Sequence, residues 1–116
     1  MEGFEDPFNR GCYPWGSEDL EMKAWFAHLG CLRGERKELQ KGAIEYIHAD
    51  GPLLAYVRKL DEQRSVTVVN TGTRAIAVSI PWEGAVATDI LSGRTYTAKS
   101  GEVSVRLSAR SGALLV

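Results

Sequence analysis

The periodicity of this chain changes at Ala43, and that change sets what it can fold into. Up to Arg33, apolar residues recur at steps of three and four: Met22, Trp25, Phe26, Leu29 and Leu32. That is the spacing of one helix face. From residue 43 onward, apolar and polar residues alternate and β-branched residues are common. Glycines at Gly72, Gly84, Gly93, Gly101 and Gly112 fall eight to twelve residues apart. Alternation bounded by regularly spaced turn residues predicts antiparallel strands packed as a sandwich or barrel. Eight strands are expected, over residues 43–48, 53–59, 65–69, 75–80, 87–91, 94–97, 103–107 and 113–116. No helix long enough for a parallel crossover separates them, which argues against a parallel sheet. The expected fold class is mainly β: an antiparallel eight-strand β-sandwich over 43–116, preceded by an irregular loop and one or two helices.

The first 42 residues divide into a loop (1–16), a helix (17–33) and a short helix or turn (35–41). Ser17 reads as the N-cap, with Glu18 and Asp19 placing negative charge in the first turn. Leu20, Ala24, Ala27 and Cys31 form a second, smaller apolar stripe beside the first. A surface helix needs a stripe roughly 100° wide. This one is wider, so burial on two sides is expected. Gly34 is expected to end it. In 35–41 Leu39 is the one apolar anchor, and Glu35 and Glu38 interleave with the basic residues, which reads as a solvated face.

Composition removes several function classes. The apolar fraction of 44% and charged fraction of 25% are those of an ordinary globular protein. A net charge of −1 gives no electrostatic basis for nucleic-acid or membrane-surface partners, and neither is expected. No run approaches the roughly 20 apolar residues of a spanning helix. No basic start is followed by an apolar run, so no signal peptide is visible; the lack of paired cysteines is what leads to the expectation of a cytoplasmic location. Cys12 and Cys31 are too few for a disulfide framework and match no zinc spacing. They read as reduced, partly buried thiols, and no metal site or cofactor is expected in this chain.

The chemistry is concentrated at the start. Phe4, Phe8, Tyr13 and Trp15 put four aromatics in a short span, with Asp6 and Arg10 four residues apart. Pro7 and Pro14 keep the segment out of a helix or a central strand. Planar rings, a carboxylate and a guanidinium are what a polyhydroxylated ligand needs, through stacking and charged hydrogen bonds. The alternative is a plain intraloop ion pair with no ligand.

The order Gly-x-x-Asp-Pro-x-Asn-Arg-x-x-Tyr-Pro-Trp over residues 3–15 resembles the last signature of the α-amylase family, glycoside hydrolase family 13. It is most similar to the neopullulanase, cyclomaltodextrinase and oligo-glucosidase branch. The helix ending in Leu29–Arg33, the short basic stretch and the all-β tail extend the resemblance over the whole chain. It implies that residues 1–42 are the tail of a (β/α)8 barrel, beginning just after its eighth strand, and that 43–116 are the C-terminal domain C. The parent would act on α-glucosidic bonds of starch, maltodextrin or cyclodextrin by a retaining mechanism. Its nucleophile, acid and third carboxylate would precede this chain, so no catalytic residue is expected here and the isolated chain should be inactive. Asp6 and Arg10 match the positions that contact glucose units on the non-reducing side of the cleavage point. Tyr13 and Trp15 are read as loop anchors. Calcium in the parent would lie mostly outside this stretch. The implied partners are the rest of the barrel and the α-glucan.

Read without the resemblance, the strand region offers no catalytic set. Asp50, Asp61, Glu62, Glu83 and Glu102 fall in turns, where acids are solvated. Asp89 lies in a strand pattern and is expected to make a local hydrogen bond. His28 and His48 read as structural. A stand-alone carbohydrate-binding module is the alternative function, with Trp82 as the one aromatic expected to be exposed; Tyr46 and Tyr56 read as core or half-buried, and Tyr96 completes the candidates. An assembly module is the other alternative. A helix with two apolar sides and no barrel should cover its spare face with another copy, so a homo-oligomer is expected.

Overall fold

The computed structural model describes residues 5–7 and 9–116. Phe4, Phe8 and the motif glycine Gly3 lie outside the described residues. Two compact units follow one another in the chain, Met1–Glu35 and Arg36–Val116. The first holds a loop and helix α1 (Leu20–Glu35). The second holds the short helix α2 (Lys37–Lys41) and eight strands: β1 (Ala43–Asp50), β2 (Leu53–Leu60), β3 (Gln63–Asn70), β4 (Ile76–Pro81), β5 (Val86–Thr88), β6 (Thr95–Thr97), β7 (Glu102–Leu107) and β8 (Ser111–Leu115).

Helix α1 begins three residues after the expected cap. The Met22 N–H donates to Asp19 Oδ1 at 2.9 Å, so Asp19 rather than Ser17 caps the first turn. The helix runs through Gly34 to Glu35. No residue of α1 is buried, although two of its sides are apolar.

The strands pair antiparallel throughout, as the alternation predicts. A four-stranded sheet has the order β1-β2-β3-β8; β4 pairs with β7, and β5 with β6. Period-two burial shows which face is inward. In β2, Leu53, Ala55 and Val57 are buried, while Leu54, Tyr56 and Arg58 point to the other face. In β7, Val103, Val105 and Leu107 are buried between exposed Glu102, Ser104 and Arg106. With Val66, Val68, Ile80, Ala87, Ala113 and Leu115 they form one core between the sheets. Each fully buried Val or Ile contributes on the order of 1.5–3 kcal/mol.

Where the second unit starts depends on α2. Although its sequence is mostly charged, α2 packs on β2 and β3. Its anchor is Glu38, which is completely buried, while Leu39 is only half-buried. Arg36 Nε donates to Glu38 Oε1 at 2.5 Å, which pairs one of the two buried carboxylate oxygens, while Oε2 finds no partner among the described residues. The expectation of a solvated face over 35–41 is therefore corrected. Residues 36–42 join the sandwich, which was expected to begin at 43.

Two buried polar residues tie the loops. Asn70 Nδ2 donates to the carbonyls of Arg74 at 2.8 Å and Ser108 at 2.9 Å, and its Oδ1 accepts from Gly72 N–H at 2.9 Å. One side chain thus fixes the β3–β4 and β7–β8 connections together. Asp89 does the same after β5. Its carboxylate accepts from the N–H groups of Leu91 and Leu114 and from the Ser92 hydroxyl. The local bond expected of Asp89 is there, together with a long-range bond to β8. The strand expected at 87–91 stops at Thr88 because the chain turns around this carboxylate.

Candidate functional site

Residues 5–7 and 9–15 lie in an open loop. Pro7 and Asn9 lead into a turn in which Arg10 N–H donates to the Pro7 carbonyl at 3.1 Å. This brings the Arg10 side chain back over Asp6. Arg10 Nη2 donates to Asp6 Oδ2 at 2.9 Å, and Nε lies 2.6 Å from Oδ1. The guanidinium therefore grips the carboxylate with two parallel bonds, the geometry that fixes orientation best. Both side chains stay open to solvent, 73% exposed for Arg10 and 59% for Asp6. Each carboxylate oxygen keeps a lone pair and Arg10 keeps donors that the pair does not use. An arrangement of this kind can receive the hydroxyls of a sugar from both partners at once.

Downstream, Ser17 N–H donates to the Pro14 carbonyl at 2.9 Å, with Gly16 at φ 79°. That is a type II turn, whose third residue needs positive φ and hence glycine. It presents Trp15 outward, 82% exposed, with Tyr13 meeting it edge-on at 4.7 Å between ring centroids. Neither ring is buried, so among the described residues they do not act as the loop anchors expected. Cys12 and Cys31 are both exposed free thiols, not partly buried ones.

The sandwich carries no rival catalytic arrangement among its described residues. Asp50, Asp61, Glu62, Glu83 and Glu102 are exposed. Asp89 is buried and its carboxylate is committed to three donors. No group of three or more His, Cys, Asp or Glu among the described residues could hold a metal ion.

Trp82 overturns the aromatic-platform reading. It is only 9% exposed and belongs to the core. Its Nε1 donates to the Val86 carbonyl at 3.1 Å, and the Arg64 guanidinium covers the ring at 5.4 Å from its centroid. Its position after Pro81 suggested a surface turn. Instead the chain folds inward there, with Trp82 N–H donating to the Gly101 carbonyl at 2.8 Å. Tyr46 departs from expectation in the other direction: it is 63% exposed on edge strand β1, with its ring 6.1 Å from that of Tyr56.

An exposed Asp–Arg pair on a loop and, later in the chain, a small antiparallel sandwich are the architecture of an accessory β domain. The chain belongs to the family of maltogenic amylase C-terminal domains, whose model matches residues 44–113. It is 32% identical over its full length to an amylopullulanase of Thermoanaerobacter thermohydrosulfuricus, where it covers 9% of that protein. An amylopullulanase of Thermoanaerobacterium saccharolyticum is 22% identical, with 100% of this chain and 10% of that protein covered. The chain thus spans about a tenth of the length of these curated relatives. Among solved structures, an Anoxybacillus α-amylase superposes with a TM-score of 0.90 at 20% identity, over 99% of this chain and 26% of that one. A protein of Thermus thermophilus gives 0.84 at 28% identity, over 99% of this chain and 25% of that one. These matches agree with the glycoside hydrolase family 13 resemblance and with the mainly β, domain C-like fold.

Proposed function

We propose that the parent polypeptide hydrolyses α-glucosidic bonds, and that this piece contributes Asp6 and Arg10 as contacts to glucose units beside the cleaved bond. The bidentate Asp6–Arg10 pair carries this reading. An ion pair this exposed adds little to folding, yet it is held in the geometry that orients both groups. Sugar hydroxyls accept from the guanidinium and donate to the carboxylate, and the pair keeps each partner aligned for the other. The acids that break the bond belong to the part of the parent outside this chain. The sandwich then serves as a rigid support for that part. The exposed apolar side chains of α1 (Leu20, Met22, Trp25 and Phe26) are the surface against which that part, or another copy of this chain, packs.

The test is steady-state kinetics of the intact enzyme on maltooligosaccharides, with Asp6→Ala and Arg10→Ala. Loss of a charged hydrogen-bond partner should lower kcat/KM roughly ten- to a hundredfold. Unchanged kinetics in both variants would reduce the pair to a loop feature and sink the reading.

A further inference from the structure

The short helix α2 rests on a polar bed. Val57 and Val66 are register partners on β2 and β3 and belong to the core. The next pair along, Arg58 and Ser65, therefore points to the opposite face of the sheet. Ser65 is nonetheless completely buried, because α2 packs on these two strands. Glu38 comes down over the same place. A Cβ on Gly42 would meet the carbonyl oxygens of both Glu38 and Lys59. Arg36, the partner of Glu38, also donates to the Arg64 carbonyl at 3.5 Å. Lys59 and Arg64 are themselves register partners, beside Arg58 and Ser65.

Three buried side-chain atoms among the described residues have no hydrogen-bond partner: Glu38 Oε2, Arg58 Nε and Ser65 Oγ. All three belong to this one layer. Leaving even one such atom dry is costly, and a charged group most of all. Two of the side chains are anchored at their other end. Glu38 Oε1 accepts from Arg36 Nε, and Arg58 Nη2 donates to the Gly42 carbonyl at 3.0 Å. These bonds hold the carboxylate and the guanidinium in place without joining them to each other. Polar groups kept beyond direct reach of one another are the setting for a bridge. The chemistry of the three atoms selects that bridge. The carboxylate repels an anion. The guanidinium repels a cation, and its N–H offers a metal no lone pair. Water has both the hydrogens and the lone pairs that the set requires.

We propose that one buried water molecule bridges Glu38 Oε2, Arg58 Nε and Ser65 Oγ and fastens α2 to β2 and β3. It donates one hydrogen to the Glu38 carboxylate and accepts from the Arg58 Nε–H. The Ser65 hydroxyl, which can donate or accept, takes the third place. Three bonds are the usual number for an interior water, and a water so held is part of the fold. The polar bed under α2 is then a fully satisfied network, which makes this contact specific where an apolar one would let the helix slide.

The test is a crystal structure of the 116-residue chain at a resolution that shows ordered water, together with native-state hydrogen exchange in solution. The expected crystallographic result is one water within about 2.7–3.2 Å of all three atoms. Any other arrangement overturns the proposal, whether Glu38 Oε2 bonds directly to Arg58 Nε with nothing between or the three atoms open to bulk solvent. In solution the Gly42 amide reports on α2, since it donates to the Glu38 carbonyl at 3.0 Å. Ser65→Ala removes one of the three bonds to the water and should speed exchange of that amide roughly five- to tenfold. The opposite sign is expected without the water, because alanine would then remove a buried hydroxyl that bonds to nothing. A rate that is unchanged or slower in Ser65→Ala therefore overturns the bridge as well.

Discussion

Asp89 Oδ1 accepts the backbone N–H of Leu114 at 2.9 Å, joining the turn after β5 to strand β8 across 25 positions of sequence. The same oxygen accepts from Leu91 N–H at 3.1 Å, and the other oxygen accepts from the Ser92 hydroxyl. Backbone bonds run alongside, Thr88 and Val116 exchanging both N–H···O contacts at 2.9 Å. The chain end is therefore held by a carboxylate as well as by a strand ladder. Asp89→Ala would leave a buried Leu114 N–H without its acceptor. The expected loss is roughly 2–4 kcal/mol of unfolding free energy. Asp89→Asn keeps an oxygen for both N–H groups and should lose only about half as much. Urea denaturation of the two variants checks the order; equal losses would mean that charge, rather than acceptor geometry, holds the turn.

Gly42 joins α2 to β1 with backbone on both sides. A Cβ there would collide with the Glu38 carbonyl oxygen and lie 2.9 Å from that of Lys59. Neither is a flexible side-chain tip that could swing away. Gly42 N–H donates to Glu38 O at 3.0 Å, and the Gly42 carbonyl accepts from Arg58 Nη2 at 3.0 Å, so the backbone is also pinned. Gly42→Ala should destabilise by about 1–3 kcal/mol. Gly30→Ala is the contrast, because nothing lies within 4 Å of its Cβ position and the residue is helical. It should be neutral or stabilising by up to about 1 kcal/mol. Thermal melts of the two variants read the difference directly.

What was legible in the sequence follows from how local each signal is. The eight strands were, because alternation and turn glycines are properties of neighbouring residues, and Leu53-Ala55-Val57 or Val103-Val105-Leu107 declare an inward face unaided. The Asp6–Arg10 pair was also legible, since four residues and one turn bring the groups together. Glu38 was not. Its residue type and neighbours say solvent, and only the approach of β2 and β3, about 15 or more positions on, makes its site an interior. Trp82 failed for the same reason: Pro81 marks a local turn, but the burial comes from Arg64 and Val86. Sequence spacing points to Ser17 as the cap, with Asp19 inside the first turn, but α1 starts only at Leu20, which leaves Asp19 as the residue placed to accept from the Met22 N–H.

The exposed Asp6–Arg10 pair makes an opposite prediction for stability and for activity. Side chains 59% and 73% exposed interact through solvent, and such pairs contribute under about 1 kcal/mol. Asp6→Ala and Arg10→Ala should therefore leave the melting temperature of the chain within about 4 °C of the original, while kcat/KM of the parent falls as proposed above. A large drop in melting temperature would assign the pair to folding. High salt should weaken the ion pair in the free loop without shifting the melt.

Helix α1 gives the last prediction. Leu20, Met22, Trp25 and Phe26 are all exposed, and they sit on a helix with no buried residue. A patch of that kind is rarely left in water by a monomer. In the isolated chain a second copy is the partner always available. The 116-residue chain should therefore sediment as a dimer or larger species at micromolar concentration. Met22→Lys/Phe26→Lys puts two charges into the Met22–Trp25–Phe26 face without touching the sandwich core, and should shift the chain to monomer with its β-sheet circular dichroism retained. If the original chain is already a monomer at about 100 µM by sedimentation equilibrium, α1 does not self-associate, and its apolar faces answer to the parent alone.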